Sequence, residues 1–414
     1  MMTRVSFVSC LCALVLICGC GMGSGARAAK KGMAAFNAGS YEKAVSYFTQ
    51  AAQRSPDSPE LRYLLGLAHL AAGTMEPAQA AFQAGLDLKP AEGEANLLVG
   101  LGQAAYHQKA YADALVALER AFAVAPDDNA RARILTVMGA VEASRKNASL
   151  ARLHYLRALR LDRLYAPAQY NLSALYQDQY DLREEALDGF IMYMRILDLK
   201  AQDAQTGKGK AAKKNPLSVL NKVDREHYSL AENRVNRLRA QIDRASAPAS
   251  RTVVSRNPAR AATLLQEGVN AHLAKQYPKA IKAYTDALTA DPSTLTAALG
   301  LGTVYRLQGQ PAESLAAFKN AIAINPTNQE FYHQAAEMAL QLRQFAEASR
   351  ILTRAIARSP NNPMSIRLMS QVAHAEGRAP EAIAYGDFYL SIIPANDPDR
   401  AAYEKWVRAL KQMR

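Results

Sequence analysis

The chain is punctuated by prolines that recur at a fixed spacing of 34 residues. Self-similarity at this period indicates a repeat array in which each repeat is a pair of helices that cannot bury its apolar face alone. Stacked helix pairs form long curved surfaces and seldom enclose a reaction pocket, so the period favours a binding protein. The prolines at this spacing are Pro56 and Pro90, then Pro292, Pro326, Pro360 and Pro394.

Glycine and alanine follow the same period. In five of the repeats an early glycine is followed 12 positions later by a small residue. Because a glycine inside a helix costs about 1 kcal/mol relative to alanine, its fixed register predicts a close approach between the two helices of a repeat. The small residue shares one face of the second helix with a bulky residue four positions on. The pairs are Gly32–Ala44, Gly66–Ala78, Gly102–Ala114, Gly268–Ala280 and Gly302–Ser314.

The combined pattern resembles the tetratricopeptide repeat. Leu301-Gly302 followed by Tyr305, for example, resembles the beginning of that repeat's first helix. The resemblance implies an all-α fold, a right-handed α-solenoid of helix–turn–helix repeats in two blocks. About five repeats cover residues 29–200 and about four cover 259–396. A composition of 50% hydrophobic but only 7% aromatic residues agrees with a core that is spread along a solenoid.

The amino terminus is a different kind of sequence. Residues 5–18 form an apolar run with the length of a signal-peptide core, shorter than the about 20 apolar residues of a membrane span. Its end, Leu-Ile-Cys-Gly-Cys at 16–20, resembles the lipobox of bacterial lipoproteins. The resemblance implies a signal peptide over 1–19, lipidation of Cys20 and a flexible anchor leash over 20–28. A plain secretory signal or an uncleaved anchor is the alternative.

Cysteine usage agrees with lipidation. All four cysteines lie in the first twenty residues, so a chain cut before Cys20 keeps one and cannot form an internal disulfide. Acylation would occupy that single thiol. By the same resemblance, the glycine after Cys20 favours the outer membrane, with the protein facing the periplasm.

A second break in the repeats separates the two blocks. Residues 201–215 are charged and of low complexity, which predicts a disordered basic linker. An amphipathic pattern over 216–244 predicts a helix that caps the first block, because terminal repeats need a cap. A further linker follows at 245–258, and we expect a second capping helix at 397–414.

Positive charge is concentrated at this junction. Residues 200–260 hold 14 Lys and Arg against 5 Asp and Glu, which is +9 of the chain's +13. The junction either binds anionic lipid, acidic glycan or an acidic protein, or is an ordinary solvated linker. Nucleic acid is a poor candidate, because export removes the chain from it and no aromatic residues are interleaved with the basic ones. The lysines of this basic linker are Lys208, Lys210, Lys213 and Lys214.

The sequence contains no catalytic constellation. Its seven histidines are scattered and do not have metal-ligand spacing. The sequence Gly-Lys-Gly-Lys at 207–210 is not a phosphate-binding loop, because it belongs to the linker and lacks a strand–loop–helix context. We therefore expect that the protein is not an enzyme and binds neither a cofactor nor a metal ion.

The expected binding surface is the concave groove that the first helices line in tetratricopeptide repeats. Its exposed positions recur at i, i+3, i+7 and i+10, and such a groove takes an extended peptide or a helix. Taken singly, each residue there is also explained by ordinary surface or core packing. The predicted groove residues are Tyr63, Tyr106, His107, Tyr170, Arg306, His333, Arg367, Gln371 and His374, together with Gln177 and Asp178.

The resemblance implies a protein-binding scaffold or assembly factor of the bacterial cell envelope, of the pilus, secretion or outer-membrane assembly type. Two alternatives remain open at this point. One is a regulator that docks a peptidoglycan enzyme, and the other is a subunit of a secretion machine anchored in the inner membrane.

Overall fold

The computed structural model describes residues 25–205, 222–246 and 256–413. Within these ranges twenty helices are joined by short connections, without a strand. The chain divides into two compact units, one ending at Arg244 and the other beginning at Ala245. The all-α solenoid of helix pairs that the sequence predicts is confirmed. No helix among the described residues has the length and apolar content that crossing a bilayer requires.

The amino-terminal unit contains five helix pairs followed by one further helix, α11, among the described residues. In each pair the odd-numbered helix is the first helix and the even-numbered one the second. Its helices are α1 (Ala26–Asn37), α2 (Tyr41–Arg54), α3 (Pro59–Ala72), α4 (Met75–Asp87), α5 (Glu94–His107), α6 (Tyr111–Ala123), α7 (Asp128–Ser144), α8 (Ala148–Leu161), α9 (Ala166–Tyr180), α10 (Arg183–Gln205) and α11 (Lys222–Ser246).

The carboxy-terminal unit contains four helix pairs and a final single helix, α20, among its described residues. Here the first helix of each pair has an even number. Its helices are α12 (Pro258–Leu273), α13 (Tyr277–Ala290), α14 (Leu295–Leu307), α15 (Pro311–Ile324), α16 (Gln329–Gln341), α17 (Phe345–Arg358), α18 (Pro363–Ala375), α19 (Ala379–Ile392) and α20 (Arg400–Gln412).

Each first helix of a pair is followed by one residue in the left-handed backbone conformation. At four repeats this residue is glycine, which adopts the conformation without steric cost. At most of the others it is lysine or arginine, whose charge the C-terminal end of the helix dipole favours. The shared position fixes the same turn in every described repeat. The residues are Gly39, Gly73, Lys109, Lys146, Asp181, Lys275, Gly309, Arg343 and Gly377.

The close approach predicted from the repeated glycines is confirmed. A Cβ added at Gly66 would lie 2.5 Å from Cε1 of Phe82 on the second helix of the same repeat. Gly100, on the first helix of the next repeat, meets the same ring from its own helix, also at 2.5 Å. The fully buried ring of Phe82 therefore lies between two glycines of successive repeats. Tyr284 lies in the same way between Gly268 and Gly300.

The boundaries of the second break differ from the prediction. We expected a disordered linker from residue 201, but α10 continues to Gln205, and Ala201 is fully buried. The reason is that apolar residues such as Tyr193 and Leu197 continue at helical spacing up to Ala201. The capping helix was predicted over 216–244, and α11 begins at Lys222 in the described part of the chain. Cys20, the signal peptide and the four linker lysines lie outside the described residues.

Candidate protein-binding groove

In the amino-terminal unit, α11 packs over α9, the first helix of the fifth repeat. Ala231, Val235 and Leu238 form the buried face of α11. On this side of the unit the ring of His227 stacks on Tyr170, with ring centroids 5.5 Å apart and planes at 20°. The sequence placed Tyr170 on an open groove, but its side chain is only 7% exposed. Tyr170 is therefore an interior residue, because the capping helix supplies a ring that packs over it.

Arg234 of α11 contacts both helices of the fifth repeat, α9 and α10. Its Nη1 donates hydrogen bonds to Oε1 of Gln177 at 2.6 Å and to Oδ1 of Asp178 at 3.3 Å. The guanidinium lies 5.4 Å from the ring centroid of Phe190 on α10. Burial lowers the pKa of His227, against the opposing effect of Asp224 and Glu226. The predicted groove positions of the fifth repeat are thus occupied by the protein's own helix.

The remaining predicted tyrosines lie on α3 and α5. Tyr63 is half-buried, with its ring centroid 6.0 Å from that of Phe82. Tyr106 is also half-buried, and its hydroxyl lies 3.1 Å from Oγ of Ser144 on α7. His107 is exposed, with its ring 5.4 Å from Tyr106. Tyr106 therefore joins two successive first helices in addition to any role at the surface.

His333 of α16 also lies in the interior. Its side chain is buried, and Nε2 lies 2.9 Å from Oγ of Ser365 on α18. Burial lowers the pKa of His333, and Glu330 opposes this effect. The sequence placed His333 on the groove surface, whereas the structure uses it to join two neighbouring first helices.

Three other predicted residues come together at the end of the carboxy-terminal unit. Arg367, Gln371 and His374 line one side of a cleft of about 360 Å³ between α18 and α20. The other side is formed by residues of α20 and the turn before it, namely Asp399, Ala402, Tyr403 and Trp406. The cleft continues the groove line of α18, since its three α18 residues lie at the predicted i+3, i+7 and i+10 positions of the line that begins at Met364.

The cleft combines an ion pair with an aromatic wall. Nη1 of Arg367 donates to Oδ2 of Asp399 at 3.2 Å. Trp406 is half-buried, and the ring of His374 meets it edge-on at 5.5 Å and 89°. The ring of Tyr403 lies 5.0 Å from that of Trp406, and burial raises the pKa of Tyr403 to about 12. The phenol is therefore protonated at neutral pH, and the wall offers ring surface to a ligand.

The sequence interpretation missed Trp406, although a signal was present. The line Met364, Arg367 and Gln371 on α18 recurs 35 residues later as Asp399, Ala402 and Trp406. The two lines are separated by 35 residues, one more than the repeat period of 34, so extending the groove line by the exact period does not select Trp406. Structurally, α20 is a fifth first helix that extends the groove of this unit among the described residues.

Charge alternates along this groove. Arg306 on α14 is exposed, and Glu337 on α16 is half-buried. Burial raises the pKa of Glu337, and Glu330 adds to the effect, while Arg306 and Arg367 oppose it. Both arginines therefore lie close enough to act on the Glu337 carboxylate. A cationic end on α14 is followed by an anionic position on α16 and the Arg367–Asp399 pair on α18 and α20.

The described residues contain no group of three or more side chains able to hold a metal ion. What they contain is a row of exposed and half-buried side chains on consecutive helices, an arrangement that suits recognition of another molecule. The arrangement is that of a surface for binding.

The comparisons with known proteins agree with a repeat protein. One sequence profile described as tetratricopeptide repeat matches residues 30–93 and 265–329, and a second matches 305–372. These segments therefore carry tetratricopeptide repeats, the repeats of protein–protein interaction scaffolds. No curated protein matches the chain significantly.

Several solved structures are similar to this chain. The Cut9–Hcn1 hetero-tetramer of the APC/C matches with 14% identity and a TM-score of 0.36, covering 95% of this chain and 85% of that one. MamA from Desulfovibrio magneticus RS-1 has 24% identity and a TM-score of 0.34, covering 42% and 96%. A tetratricopeptide repeat protein from Parabacteroides merdae has 13% identity and a TM-score of 0.26, covering 85% and 98%. At these identities the likeness says nothing about binding partners.

Proposed function

We propose that this protein is a scaffold or assembly factor of the bacterial cell envelope that holds a partner in the groove of its carboxy-terminal unit. The observation that carries the proposal is the row of accessible side chains from α14 to α20, which ends in the cleft with Trp406. The amino-terminal unit differs, because its own α11 covers the corresponding positions of the fifth repeat. The envelope part of the proposal rests on the lipobox resemblance around Cys20.

We expect the two groove arginines to anchor the partner. Changing Arg306→Ala together with Arg367→Ala should weaken partner binding by about 1–3 kcal/mol, the range of ordinary interface anchors. The helical content should change little, because Arg306 is exposed and the side-chain hydrogen bonds of Arg367 go to the exposed carboxylate of Asp399 and to Sδ of Met364 on its own helix. Affinity capture from detergent-solubilised envelopes, with the co-purified partner quantified, measures the effect.

A matched control removes the same charge elsewhere. Lys279 and Lys282 are exposed on α13, a second helix that does not line the groove. The double change of these lysines to alanine should leave capture unchanged. Equal losses in both double variants would show that net charge, not the groove, recruits the partner.

Membrane anchoring gives a separate prediction. Cys20→Ser should release the protein into the soluble periplasmic fraction or leave an unprocessed precursor, because the acyl chains that give firm anchoring are missing. Fractionation after a high-salt wash distinguishes these outcomes. Ser24→Ala, in the same stretch, should fractionate with the outer membrane as the unchanged protein does. A Cys20→Ser protein that stays with the outer membrane after the wash would contradict lipidation.

A further inference from the structure

Glu337 is a half-buried charged group of the groove. Its carboxylate makes no hydrogen bond or ion pair with another residue in the described part of the chain, although Arg306 and Arg367 act on it at longer range. It is half-buried on the first helix α16, so part of its hydration is already lost. A half-buried carboxylate is stabilised by an opposite charge brought into contact. A partner's lysine or arginine side chain is such a charge.

The cleft at α20 favours an aromatic side chain of the partner over a charged one. Trp406 presents ring surface beside His374 and Tyr403, and the only cation of the cleft, Arg367, is already paired with Asp399. Aromatic rings gain from edge-to-face or offset contact with one another, beyond the area that they bury. An aromatic side chain of a partner therefore fits this end of the groove better than a second charge.

The size of the cleft and the spacing of the first helices together limit what can reach from Glu337 to Trp406. A volume of about 360 Å³ holds one or two side chains, whereas a helix with its side chains is about 10–12 Å across. The groove line advances by one first helix per repeat, and neighbouring first helices are in contact, as the His333–Ser365 hydrogen bond shows. Packed helices are about 8–10 Å apart, so α16 and α20, two steps apart, are separated by about 16–20 Å. An extended chain covers that distance in about five or six residues, at about 3.3 Å per residue.

We propose that the groove recognises an extended protein segment in which a basic side chain meets Glu337 and an aromatic side chain, about six positions away, meets Trp406. The inference rests on the proposed function, and it adds the chemistry and spacing of the partner. Gln371, exposed between the two sites on α18, has an amide that can hydrogen-bond the backbone of the segment.

Trp406 also supplies the measurement, since it is the chain's only tryptophan. The purified full-length protein in detergent is titrated with tryptophan-free peptides of twelve residues. Each carries one Lys and one Phe in a Gly/Ser background, separated by one to nine positions and in both orders. We expect a saturable change in Trp406 emission that is strongest at a separation of about six. Loss of the Lys, or the change Glu337→Gln, should each weaken binding about tenfold, or about 1.4 kcal/mol.

The charge swap makes the test specific. Glu337→Lys should reject the Lys peptide and bind the same peptide with Glu in place of Lys. As a control, Glu313→Gln removes an exposed carboxylate on the second helix α15 and should leave binding unchanged. Binding that ignores the spacing, or that survives Glu337→Gln, overturns the inference, and so does tighter binding of an amphipathic helical peptide. If the arginine pair is needed for capture but no peptide of the series binds, the inference fails while the proposed function stands.

Discussion

Gly100→Val should lower the free energy of unfolding of the amino-terminal unit by about 2–3 kcal/mol, at the upper end of the cost of overpacking. The new side chain would enter space held by the ring of Phe82, because even a Cβ at Gly100 lies 2.5 Å from that ring. The ring cannot retreat, since Gly66 presses on it equally closely from the other side. The about 1 kcal/mol that an alanine would gain in helix propensity over glycine is smaller than this cost.

Urea unfolding followed by circular dichroism at 222 nm measures the loss. Gly302→Val is the milder control, because its Cβ position lies 2.9 Å from Phe318. We expect the control to destabilise its own unit by about 1 kcal/mol. Adding Phe82→Leu to Gly100→Val should recover part of the loss, giving a coupling energy of about 1 kcal/mol. Two independent, additive losses would show that the glycine and the ring do not compete for the same space.

Acidification from pH 6.5 to 4.5 should destabilise the amino-terminal unit by about 2–3 kcal/mol through His154 alone. Burial, with a smaller effect of Arg157, lowers the pKa of His154 to about 3. In the unfolded chain the pKa of a histidine is about 6.5. Between these two values the unfolded state binds one proton more than the folded state, so stability falls as the pH falls, by about 1.4 kcal/mol per pH unit.

Comparison with His154→Met isolates this effect. The Nδ1 atom of His154 is buried without a hydrogen-bond partner among the described residues, so an apolar replacement leaves no polar group unsatisfied there. His69 and His227, whose pKa values burial also lowers, remain in both proteins. The unchanged protein should therefore lose stability relative to His154→Met as the pH falls, by about 2–3 kcal/mol between pH 6.5 and 4.5. Parallel pH profiles would mean that His154 is already protonated, or solvated, in the folded state.

The repeat period and the glycine register were sufficient to predict the helix pairs and their close packing. These features are local and strictly periodic, and each has one steric explanation, as at Gly66 and Phe82. The two single helices that follow the repeats, α11 and α20, are not part of that period. Their positions depend on packing against a neighbouring helix, which a spacing rule does not describe.

The candidate site was predictable only in part for the same reason. Arg367, Gln371 and His374 do meet in one cleft, because one helix face carries all three. Tyr170 and His333 occupy equivalent positions on their helices, but each is buried, because it meets a side chain two helices further along the chain, on α11 and α18 respectively. Whether a groove position stays accessible depends on the helix that follows it, and the sequence of the position itself does not contain that information.

The ring of Phe82 belongs in effect to two repeats, because glycines of both enclose it. Such sharing turns a row of repeats into a chain of coupled neighbours, in which the stability of one link depends on the presence of the next. A chain shortened so that it ends after α4 would lose Gly100 and leave one face of Phe82 in water. Removing the repeats that follow α4 should therefore lower the free energy of unfolding by more than the stability of the removed repeats alone. Thermal unfolding of the unit should begin at a terminal repeat and proceed from one repeat to the next.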